Sequence, residues 1–280
     1  MDKVLRDCIL NKYEEVSKEF GIDSGILTRD FYRHYYLLKL IKKYTPNNNE
    51  KILDISAGFA IPSRILKDEG FNIYATDSMS IAGAKICESS NKIFSFTNIE
   101  NLEINSLPFE ENSFEVVLWL ATIEHIHNSP KRILEWIYRI LKNNGIVIID
   151  TPNILELRKR IMLLFGKSFM PPIQFIYNLP YHGDHHREYT KADLEYVIRQ
   201  SGHQIVYSQI VDTISSISID KRIKINERKG SQPEIEQMTK FKIGWNLLNF
   251  YDWIKLSYSI LVKFVPSFRD TLFIIGKKNG

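Results

Sequence analysis

Cysteine is nearly absent from this sequence, and so are the features that would commit the chain to a membrane or to secretion. The two cysteines, Cys8 and Cys87, are far apart and follow no pattern, which favours free thiols in a reducing compartment over a disulfide framework. No stretch reaches the ~20 apolar residues needed to cross a bilayer. The N-terminus also lacks the uninterrupted apolar core of a signal peptide. Together these absences predict a cytoplasmic protein.

An excess of charge of one sign is also missing. The chain has 37 Lys and Arg against 33 Asp and Glu, and its net charge of +4 is too small to indicate nucleic-acid binding by charge alone. Repeats and low-complexity segments are absent as well. What remains is an ordinary globular composition over 280 residues, which is enough to bury one sizeable core with a subdomain or cap.

Residues 51–77 organise the rest of the chain, because they have the pattern of a strand, a tight turn, a helix and a second strand. A short apolar run stops at Asp54, which suits a parallel strand buried on both faces. Small residues from Ser56 to Gly58 let the backbone turn and let another molecule approach it. The second strand ends in Asp77, about twenty residues beyond the turn, where a carboxylate can accept both hydroxyls of a ribose. The stretch outlines a nucleoside-cofactor pocket, although an ordinary strand-to-helix connection has the same pattern.

The turn favours one class of nucleoside cofactor over another. A dinucleotide fingerprint needs three glycines, because the pyrophosphate sits against bare backbone at the helix N-terminus. Here Gly58 is the one glycine in the turn. The carboxylate of Asp54 would repel a pyrophosphate, but it can orient a ligand that carries an ammonium or sulfonium charge. The sequence therefore favours S-adenosylmethionine over NAD.

Residues 1–50 precede this stretch and are predicted to form a helical cap, since apolar side chains recur there at helical spacing. Three polar residues of this leader, Arg29, Arg33 and His34, have two readings. They either close over a bound carboxylate or form a solvated face.

Helix and strand patterns continue to alternate beyond Asp77. Helices are predicted over residues 81–91 and 130–142 and from about Lys191, where Thr190 is a suitable N-cap. Strands are predicted within residues 93–102 and over residues 116–120, 146–149, 203–212 and 270–277. This alternation predicts an α/β protein with a doubly wound sheet.

The clearest signature runs from Leu107 to Asn153. It contains LPFEENSFEVVLWL, then Glu124-His125, and it ends in Thr-Pro-Asn. The segment resembles class I S-adenosylmethionine-dependent methyltransferases of the small-molecule group, including sugar O-methyltransferases. The resemblance implies a Rossmann-like sheet of seven mostly parallel strands with an antiparallel last strand. It also implies a methyltransferase core over residues 51–212 and 270–280, to which the leader and a helical insertion or lid over residues 213–269 are added.

The resemblance also implies the cofactor contacts. Asp54, Ser56 and Gly58 would lie against the methionine part of the cofactor, and Leu120 and Ala121 would lie by its sulfonium. Asp77 would hold the ribose, with Ser78 beside it. Met79 would cover the adenine ring, and Glu103 and Ile104 would meet the amino edge of the adenine. The sequence departs from the family pattern at three positions. Ser56 and Ala60 replace two glycines usual in the turn, and Glu115 stands where Asp is common.

Two segments carry the candidate catalytic groups. Glu124-His125 follows the predicted strand 116–120, and His185 opens the motif His-x-Arg-Glu-Tyr-Thr. This pairing resembles two kinds of methyltransferase. One kind acts on glycans and natural-product sugars, and the other comprises quinone-biosynthesis and small-RNA 2′-O-methyltransferases, which hold a divalent cation with Glu-x-x-Glu-His and a later His. Ala121 stands where that pattern has its first Glu.

Three roles stay open for Glu124, His125 and His185. A neutral imidazole can take the proton from a hydroxyl as it attacks a methyl group, and His125 is slightly favoured over His185 for this role. The three groups could instead ligate a metal with water, which is less favoured because a hard cation needs more carboxylate. In the third reading, Glu124 anchors the following helix and the histidines form local hydrogen bonds.

The resemblance implies in-line methyl transfer from S-adenosylmethionine, in which the protein mainly aligns the nucleophile with the methyl group and the sulfur. The expected acceptor is a hydroxyl of a sugar, a glycan or a related small metabolite, and not a nucleic acid. The alternative is a metal-assisted O-methyltransferase acting on a quinone precursor or an RNA end. A non-catalytic module that binds the cofactor without turnover is the third reading.

The insertion over residues 213–269 has several interpretations. Its aromatic and apolar residues among lysines over 245–268 could form an interfacial helix at a membrane, a lid over the active site or a dimer surface. The apolar segment 155–181 could likewise be a substrate-side flap, or it could pack against the leader. The sequence leaves the oligomeric state open.

Overall fold

The computed structural model describes residues 2–45, 47–170, 185–213 and 260–280, together with Tyr177 and Tyr258. The chain begins with the helices α1 (Lys3–Phe20), α2 (Ser24–Leu27) and α3 (Phe31–Tyr44). Asp2 caps α1 by accepting hydrogen bonds from two backbone N–H groups, and Gly21 ends α1 in the left-handed conformation. The predicted helical leader is thus present.

A seven-stranded sheet forms the centre of the molecule. Its strands are β1 (Lys51–Ile55), β2 (Asn72–Asp77), β3 (Ser95–Asn98), β4 (Phe114–Leu120), β5 (Leu141–Pro152), β6 (Gln204–Val211) and β7 (Thr271–Lys277). The strand order is 3-2-1-4-5-7-6, and β7 is antiparallel to both of its neighbours. The chain reverses its direction of winding between β1 and β4, which is where open α/β sheets bind ligands beyond the carboxyl ends of the strands.

Six further α-helices whose bounds both lie in the described part of the chain flank the sheet. They are α4 (Ile61–Asp68), α5 (Met79–Ala82), α6 (Ala84–Ile93), α7 (Lys131–Ile140), α8 (Leu157–Leu164) and α9 (Lys191–Gln200). The helix predicted over residues 81–91 is divided, because Gly83 has a φ of 93° and separates α5 from α6. Thr190 caps α9 as predicted, through a reciprocal capping box with Asp193.

The sheet is buried on both faces by two apolar clusters. One cluster joins α1, α3 and α4 to one face, through residues such as Ile9, Leu38 and Ile65. The other joins α7 and α9 to the opposite face, through Ile137 and Ile198. The central strands are therefore nearly all apolar, as a sheet covered on both sides requires.

The base of the predicted insertion is well defined. The backbone N–H of Thr213, which follows β6, donates to Oδ1 of Asp270, which precedes β7, at 2.7 Å. Most of the insertion lies outside the described residues, and so do residues 171–176 and 178–181 of the predicted flap. The roles of the insertion over residues 213–269 as a lid, a dimer surface or a membrane element therefore stay predictions. None of the described helices combines the length and the apolar character needed to span a membrane.

Candidate active site

The turn after β1 is shaped by three residues with left-handed backbone. Ser56, Gly58 and Ala60 have φ values of 58°, 52° and 51°, in a region that residues with a Cβ adopt at a cost. Ser56 and Ala60 are the two positions where glycine is usual in the resembling family. They keep the glycine-like conformation in spite of their side chains. A Cβ added at Gly58 would meet open space, so the turn leaves room for a ligand beside it.

Asp54 places a carboxylate beneath this turn. The side chain is buried, and its Oδ2 accepts a hydrogen bond from the Ser63 hydroxyl at 2.5 Å. Burial raises the pKa of Asp54 to about 7, and the nearby carboxylates of Asp77 and Asp150 act in the same direction. A cationic ligand would stabilise the ionised form, whereas a pyrophosphate would add to the repulsion. The environment of Asp54 thus agrees with the predicted preference for a sulfonium cofactor.

The leader contributes Arg33 to the site. Its Nε lies 3.2 Å from Oδ2 of Asp150, and its Nη1 lies 3.4 Å from Oδ1 of Asp30. The next residue, His34, is buried against α1, where its Nδ1 is 2.7 Å from the hydroxyl of Tyr13. Burial lowers the pKa of His34 to about 3, so this imidazole is neutral. Of the two readings of the leader residues, a carboxylate-binding role fits Arg33, while His34 serves packing.

Asp77 ends β2 next to the turn, as predicted. Its Oδ2 accepts a hydrogen bond from the backbone N–H of Gly58 at 2.6 Å, and its Oδ1 accepts one from the N–H of Ser78 at 2.7 Å. Burial raises the pKa of Asp77, and these two N–H groups counteract the effect. Met79 follows with 42% of its surface exposed, so it is free to cover a flat ring.

An acidic residue missed by the sequence reasoning joins this group. Glu100 follows β3, and its Oε2 accepts hydrogen bonds from the hydroxyls of Ser78 and Ser80 at 3.0 and 2.7 Å. The hydrogen bonds from Ser80, Asn98 and Ser78 lower the pKa of Glu100 to about 2. Glu100 is therefore ionised beside the residues that follow β2.

Glu103 is engaged elsewhere. Its carboxylate accepts hydrogen bonds from the backbone N–H groups of His127 and Asn128 at 3.0 and 2.8 Å, and so it holds the loop before α7. Ile104 is 65% exposed. The predicted contact of Glu103 and Ile104 with the adenine stays a prediction, which these partners do not favour. Glu100, by contrast, lies two residues after the end of β3.

The ends of β4 and β5 form the remaining wall. Ala121 has a φ of 43°, and its N–H donates to Oδ1 of Asp150 at 2.7 Å. Leu120 and Ala121 line the same cavity as the turn after β1. Asp150 was not predicted, because its sequence position at the end of an apolar run does not reveal that it meets Arg33 of the leader.

A cavity of about 210 Å³ connects these pieces. It is lined by leader residues (Leu27, Asp30, Arg33 and His34), by Asp54 and the turn residues 56–62, and by Leu120 and Ala121. Its chemistry fits the amino-acid end of S-adenosylmethionine, because Arg33 can pair with a carboxylate while Asp54 can pair with a cationic group. The carboxylate of Asp77 would accept hydrogen bonds from the hydroxyls of a ribose. Because Gly58 has no side chain, the space beside the turn stays open for the ligand.

The three candidate catalytic residues are brought together. Glu124 and His125 follow β4, His185 arrives from the segment before α9, and one ligand atom from each lies within 4.8 Å of the others. The rings of His125 and His185 are 5.0 Å apart and nearly perpendicular. The backbone carbonyl of Glu124 also accepts a hydrogen bond from the N–H of His186 at 2.8 Å, which ties the two segments together.

Glu124 is the buried member of this cluster. Its Oε2 accepts a hydrogen bond from the hydroxyl of Thr151 at 2.9 Å. Burial raises the pKa of Glu124 to about 7, with a further contribution from Asp150. A carboxyl group that titrates near neutrality beside two imidazoles can exchange protons with them or share a cation with them. One carboxylate and two imidazoles suit a borderline metal such as Zn²⁺ better than Mg²⁺, which prefers oxygen ligands.

Comparison with known proteins gives one family model that matches more than half of the chain. Its description is a methyltransferase domain, and it covers residues 29–208. A ubiquinone biosynthesis O-methyltransferase from Rickettsia typhi is 33% identical over 167 residues, which are 56% of this chain and 63% of that protein. The chain thus spans slightly less than two thirds of this curated relative.

Among the solved structures that this chain resembles, two align over nine tenths or more of it. A SAM-dependent methyltransferase from Archaeoglobus fulgidus aligns with a TM-score of 0.51 at 17% identity, over 91% of this chain and 100% of that chain. The phosphoethanolamine N-methyltransferase 2 of Haemonchus contortus, solved with S-adenosyl-L-methionine, aligns with a TM-score of 0.52 at 17% identity, over 97% of this chain and 57% of that chain. At such low identity these likenesses show the fold alone.

Proposed function

Because the chain belongs to the methyltransferase-domain family, we propose that it transfers a methyl group from S-adenosylmethionine to a hydroxyl of a small acceptor molecule. The acceptor class that we favour is a hydroxylated aromatic ring of the kind found in quinone precursors. The family and the strand order also confirm the seven-stranded Rossmann-like methyltransferase fold that the resemblance implied.

The observation that carries the proposal is the position of Glu124, His125 and His185. They form one cluster directly after β4, and Ala121 at the same strand end lines the cavity that fits the amino-acid end of the cofactor. A binding pocket and a cluster of proton-accepting groups thus share one strand end. A module that only bound the cofactor would have no need for this cluster, so its presence favours the catalytic reading.

Each part of the cavity has a separate role in binding. When bound, S-adenosylmethionine supplies an electrophilic methyl group on a positively charged sulfur. Arg33 would pair with its carboxylate, Asp54 would favour its cationic groups, and Asp77 would accept hydrogen bonds from the ribose hydroxyls. Gly58 keeps the turn free of a side chain. These contacts would hold the cofactor in one orientation. The reaction is accelerated mainly because the methyl group and the sulfur are then aligned with the attacking oxygen.

The cluster acts on the acceptor. An unprotonated imidazole of His185 or His125 takes the proton from the acceptor hydroxyl as its oxygen attacks the methyl carbon. The proton ends on the imidazole, and the carboxylate of Glu124 stabilises the resulting positive charge when it is ionised. The methylated oxygen and the neutral thioether are the products.

A metal-assisted form of the same reaction uses the same three side chains. A bound divalent cation would lower the pKa of the acceptor hydroxyl and would orient it. Glu124, His125 and His185 provide three ligand atoms within 4.8 Å of one another. Ala121 occupies the place of a fourth ligand in the resembling pattern, so water or the acceptor would have to complete the shell.

The choice of acceptor is supported by the sequence relatives. The curated relatives at 30–33% identity carry the name ubiquinone biosynthesis O-methyltransferase, which fits the quinone alternative better than the sugar acceptor that the sequence favoured. A sugar or glycan hydroxyl remains the second candidate. The pairing of Glu124-His125 with the His-x-Arg-Glu-Tyr-Thr motif is also similar to the pattern of methyltransferases that act on such acceptors.

A radiolabel assay tests the proposal. The protein is incubated with methyl-labelled S-adenosylmethionine and either a catechol such as 3,4-dihydroxybenzoate or a methyl glycoside, with and without EDTA and added Zn²⁺ or Mg²⁺. We expect labelled catechol ether, and an EDTA-sensitive rate if a metal takes part. Calorimetric binding of S-adenosylmethionine without transfer to any acceptor would support the non-catalytic module, and failure to bind the cofactor would exclude the proposed function altogether.

A further inference from the structure

Glu188 contacts two basic side chains at once. Its Oε1 lies 2.9 Å from Nδ1 of His185, and its Oε2 accepts a hydrogen bond from Nζ of Lys159. Both oxygens of the carboxylate are thus in use. The Glu188 side chain is only 5% exposed, so water competes little for either contact.

Lys159 reaches Glu188 from α8. Its Nζ also donates to the backbone carbonyl of Asn153 at 3.1 Å and lies 3.8 Å from Oε2 of Glu156. Its side chain is 6% exposed. The ammonium is therefore enclosed by acceptors, and Glu188 is its charged hydrogen-bond partner. Packing of α8 alone does not require a buried lysine, and this one is linked through Glu188 to a histidine of the candidate active site.

This arrangement determines where the proton of His185 lies. Oε2 of Glu188 faces the ammonium of Lys159 in a buried ion pair, and this contact favours the ionised carboxylate. An ionised carboxylate only accepts hydrogen bonds. Nδ1 of neutral His185 must then carry the ring proton, which leaves the lone pair on Nε2.

We propose that Glu188 and Lys159 are positioning residues that hold His185 in its Nδ1–H tautomer, so that Nε2 is the working nitrogen of the candidate active site. The inference rests on the proposed function in one respect, because it takes the cluster of Glu124, His125 and His185 as the reacting end. Either as a base or as a ligand, an imidazole needs its second nitrogen anchored in this way. His185 thereby becomes a stronger candidate for the base than the sequence indicated.

The substitution Glu188→Gln tests the tautomer. Glutamine has one oxygen, and we expect the ammonium of Lys159 to take it, so that the amide N–H₂ faces His185. Nδ1 must then accept a hydrogen bond, and the ring proton moves to Nε2. Long-range nitrogen–proton NMR of histidine-labelled protein, in alkaline buffer without metal, distinguishes the two tautomers. The signals of His185 are assigned by their loss in His185→Gln.

The double variant Glu188→Gln with Lys159→Met provides the rescue. Without the ammonium, the amide oxygen is free to turn toward His185, and the Nδ1–H tautomer should return. We expect Glu188→Gln to lower kcat about 10- to 100-fold, the range typical of residues that orient a ligand or base. The KM for S-adenosylmethionine should stay unchanged. The double variant should recover several-fold of the lost kcat.

Lys12→Met is the matched control. Lys12 is also a buried lysine, paired with Asp68 at 2.7 Å and with Glu15 at 2.6 Å, but it belongs to α1. The substitution Lys12→Met should therefore alter neither the tautomer of His185 nor kcat. The proposal is overturned if His185 keeps the same tautomer in the wild type and in Glu188→Gln, or if the double variant is no more active than Glu188→Gln. Because the NMR reading needs no turnover, it remains decisive even if no acceptor is methylated and the proposed function fails.

Discussion

Asp54 shows how a single residue can favour ligand binding at the expense of stability. It lies in β1 among fully buried apolar side chains, and the hydroxyl of Ser63 donates to it. Burial raises its pKa from 3.8 to about 7. The folded protein therefore holds a proton on Asp54 at pH values where the unfolded chain has released it, and stability falls as the pH rises through this window.

Replacing Asp54 by Asn should remove this penalty. The melting temperature of Asp54→Asn without cofactor should exceed that of the wild type, and the gain should be several degrees larger at about pH 8 than at about pH 5, where much of the penalty has not yet developed. Cofactor affinity should fall about tenfold or more, because a carboxylate that favours the cationic ligand is lost. Thermal unfolding at the two pH values and calorimetry measure the two effects. An equal change of melting temperature at both pH values would contradict this account.

Gly58 is the residue whose side-chain absence matters most to the cavity. Gly58→Ala should cost about 1–2 kcal/mol of stability, because alanine is strained at a left-handed φ. Its new Cβ would project into open space that the cofactor needs, so affinity should fall by more than the stability loss explains. Gly21→Ala is the control, since Gly21 also has a left-handed φ and open surroundings but ends α1. We expect a similar stability cost and unchanged affinity for Gly21→Ala, as measured by urea unfolding and calorimetry.

Among the helices, α9 begins directly after the segment that carries His185, and its first turn has a strong cap. Thr190 accepts a hydrogen bond from the N–H of Asp193 at 3.1 Å, and Asp193 accepts one from the N–H of Thr190 at the same distance. Residue 189 also pairs with Asn153 at the end of β5. The start of α9 thus helps to hold the segment that carries His185 against the sheet.

Thr190→Ala should therefore destabilise the protein by about 1 kcal/mol, the usual cost of losing an N-cap side chain. Thr190→Ser keeps the hydroxyl and should retain most of the stability. Cofactor affinity should not change in either variant, because the cavity lies at the ends of β1 and β4. Urea unfolding measures the difference, and equal stabilities of the Ala and Ser variants would show that the capping box contributes nothing.

Elements with a strong local pattern were predictable from the sequence. The apolar runs that became β1, β4 and β7, the turn at Gly58 and the cap at Thr190 all depend on residues close together in the chain, so periodicity and turn chemistry reveal them. The position of Asp77 followed from its place at the end of β2. The division of the predicted helix 81–91 was missed, because a glycine inside a helical pattern is usually tolerated.

The missing parts of the site depend on contacts between distant residues. Arg33 and Asp150 meet although more than one hundred positions separate them, and no local pattern signals such a pair. Glu188 was visible only as part of a motif, and its partner Lys159 lies in α8, almost thirty residues earlier in the chain. Glu100 was missed because its partners Ser78 and Ser80 follow another strand, and no local pattern signals that contact.

At the scale of the whole molecule, the leader and the sheet form one unit. Apolar residues of α1 and α3 share a core cluster with β1 and β4. The cavity is lined from both sides, by leader residues such as Asp30 and Arg33 and by the turn after β1. A ligand in this cavity therefore contacts two parts of the chain at once, and its binding energy stabilises their association.

Hydrogen exchange should show this coupling. At a cofactor concentration one hundred times Kd, binding adds about 2.7 kcal/mol to the stability of the folded protein. We expect slower amide exchange over residues 24–37 of the leader as well as over residues 54–62, with little local change in α9. Mass spectrometry of peptides with and without S-adenosylmethionine measures this. Protection confined to residues 54–62 would mean that the leader is not a wall of the bound state.

The clasp between Thr213 and Asp270 has an evolutionary consequence. Its two residues lie side by side where β6 has ended and β7 is about to begin, and fifty-six residues separate them in the chain. The entropy of closing such a loop grows only slowly with its length, so the sheet tolerates inserts of many sizes at this point. Recombination can therefore graft a new segment at this point without disturbing the strand order of the sheet.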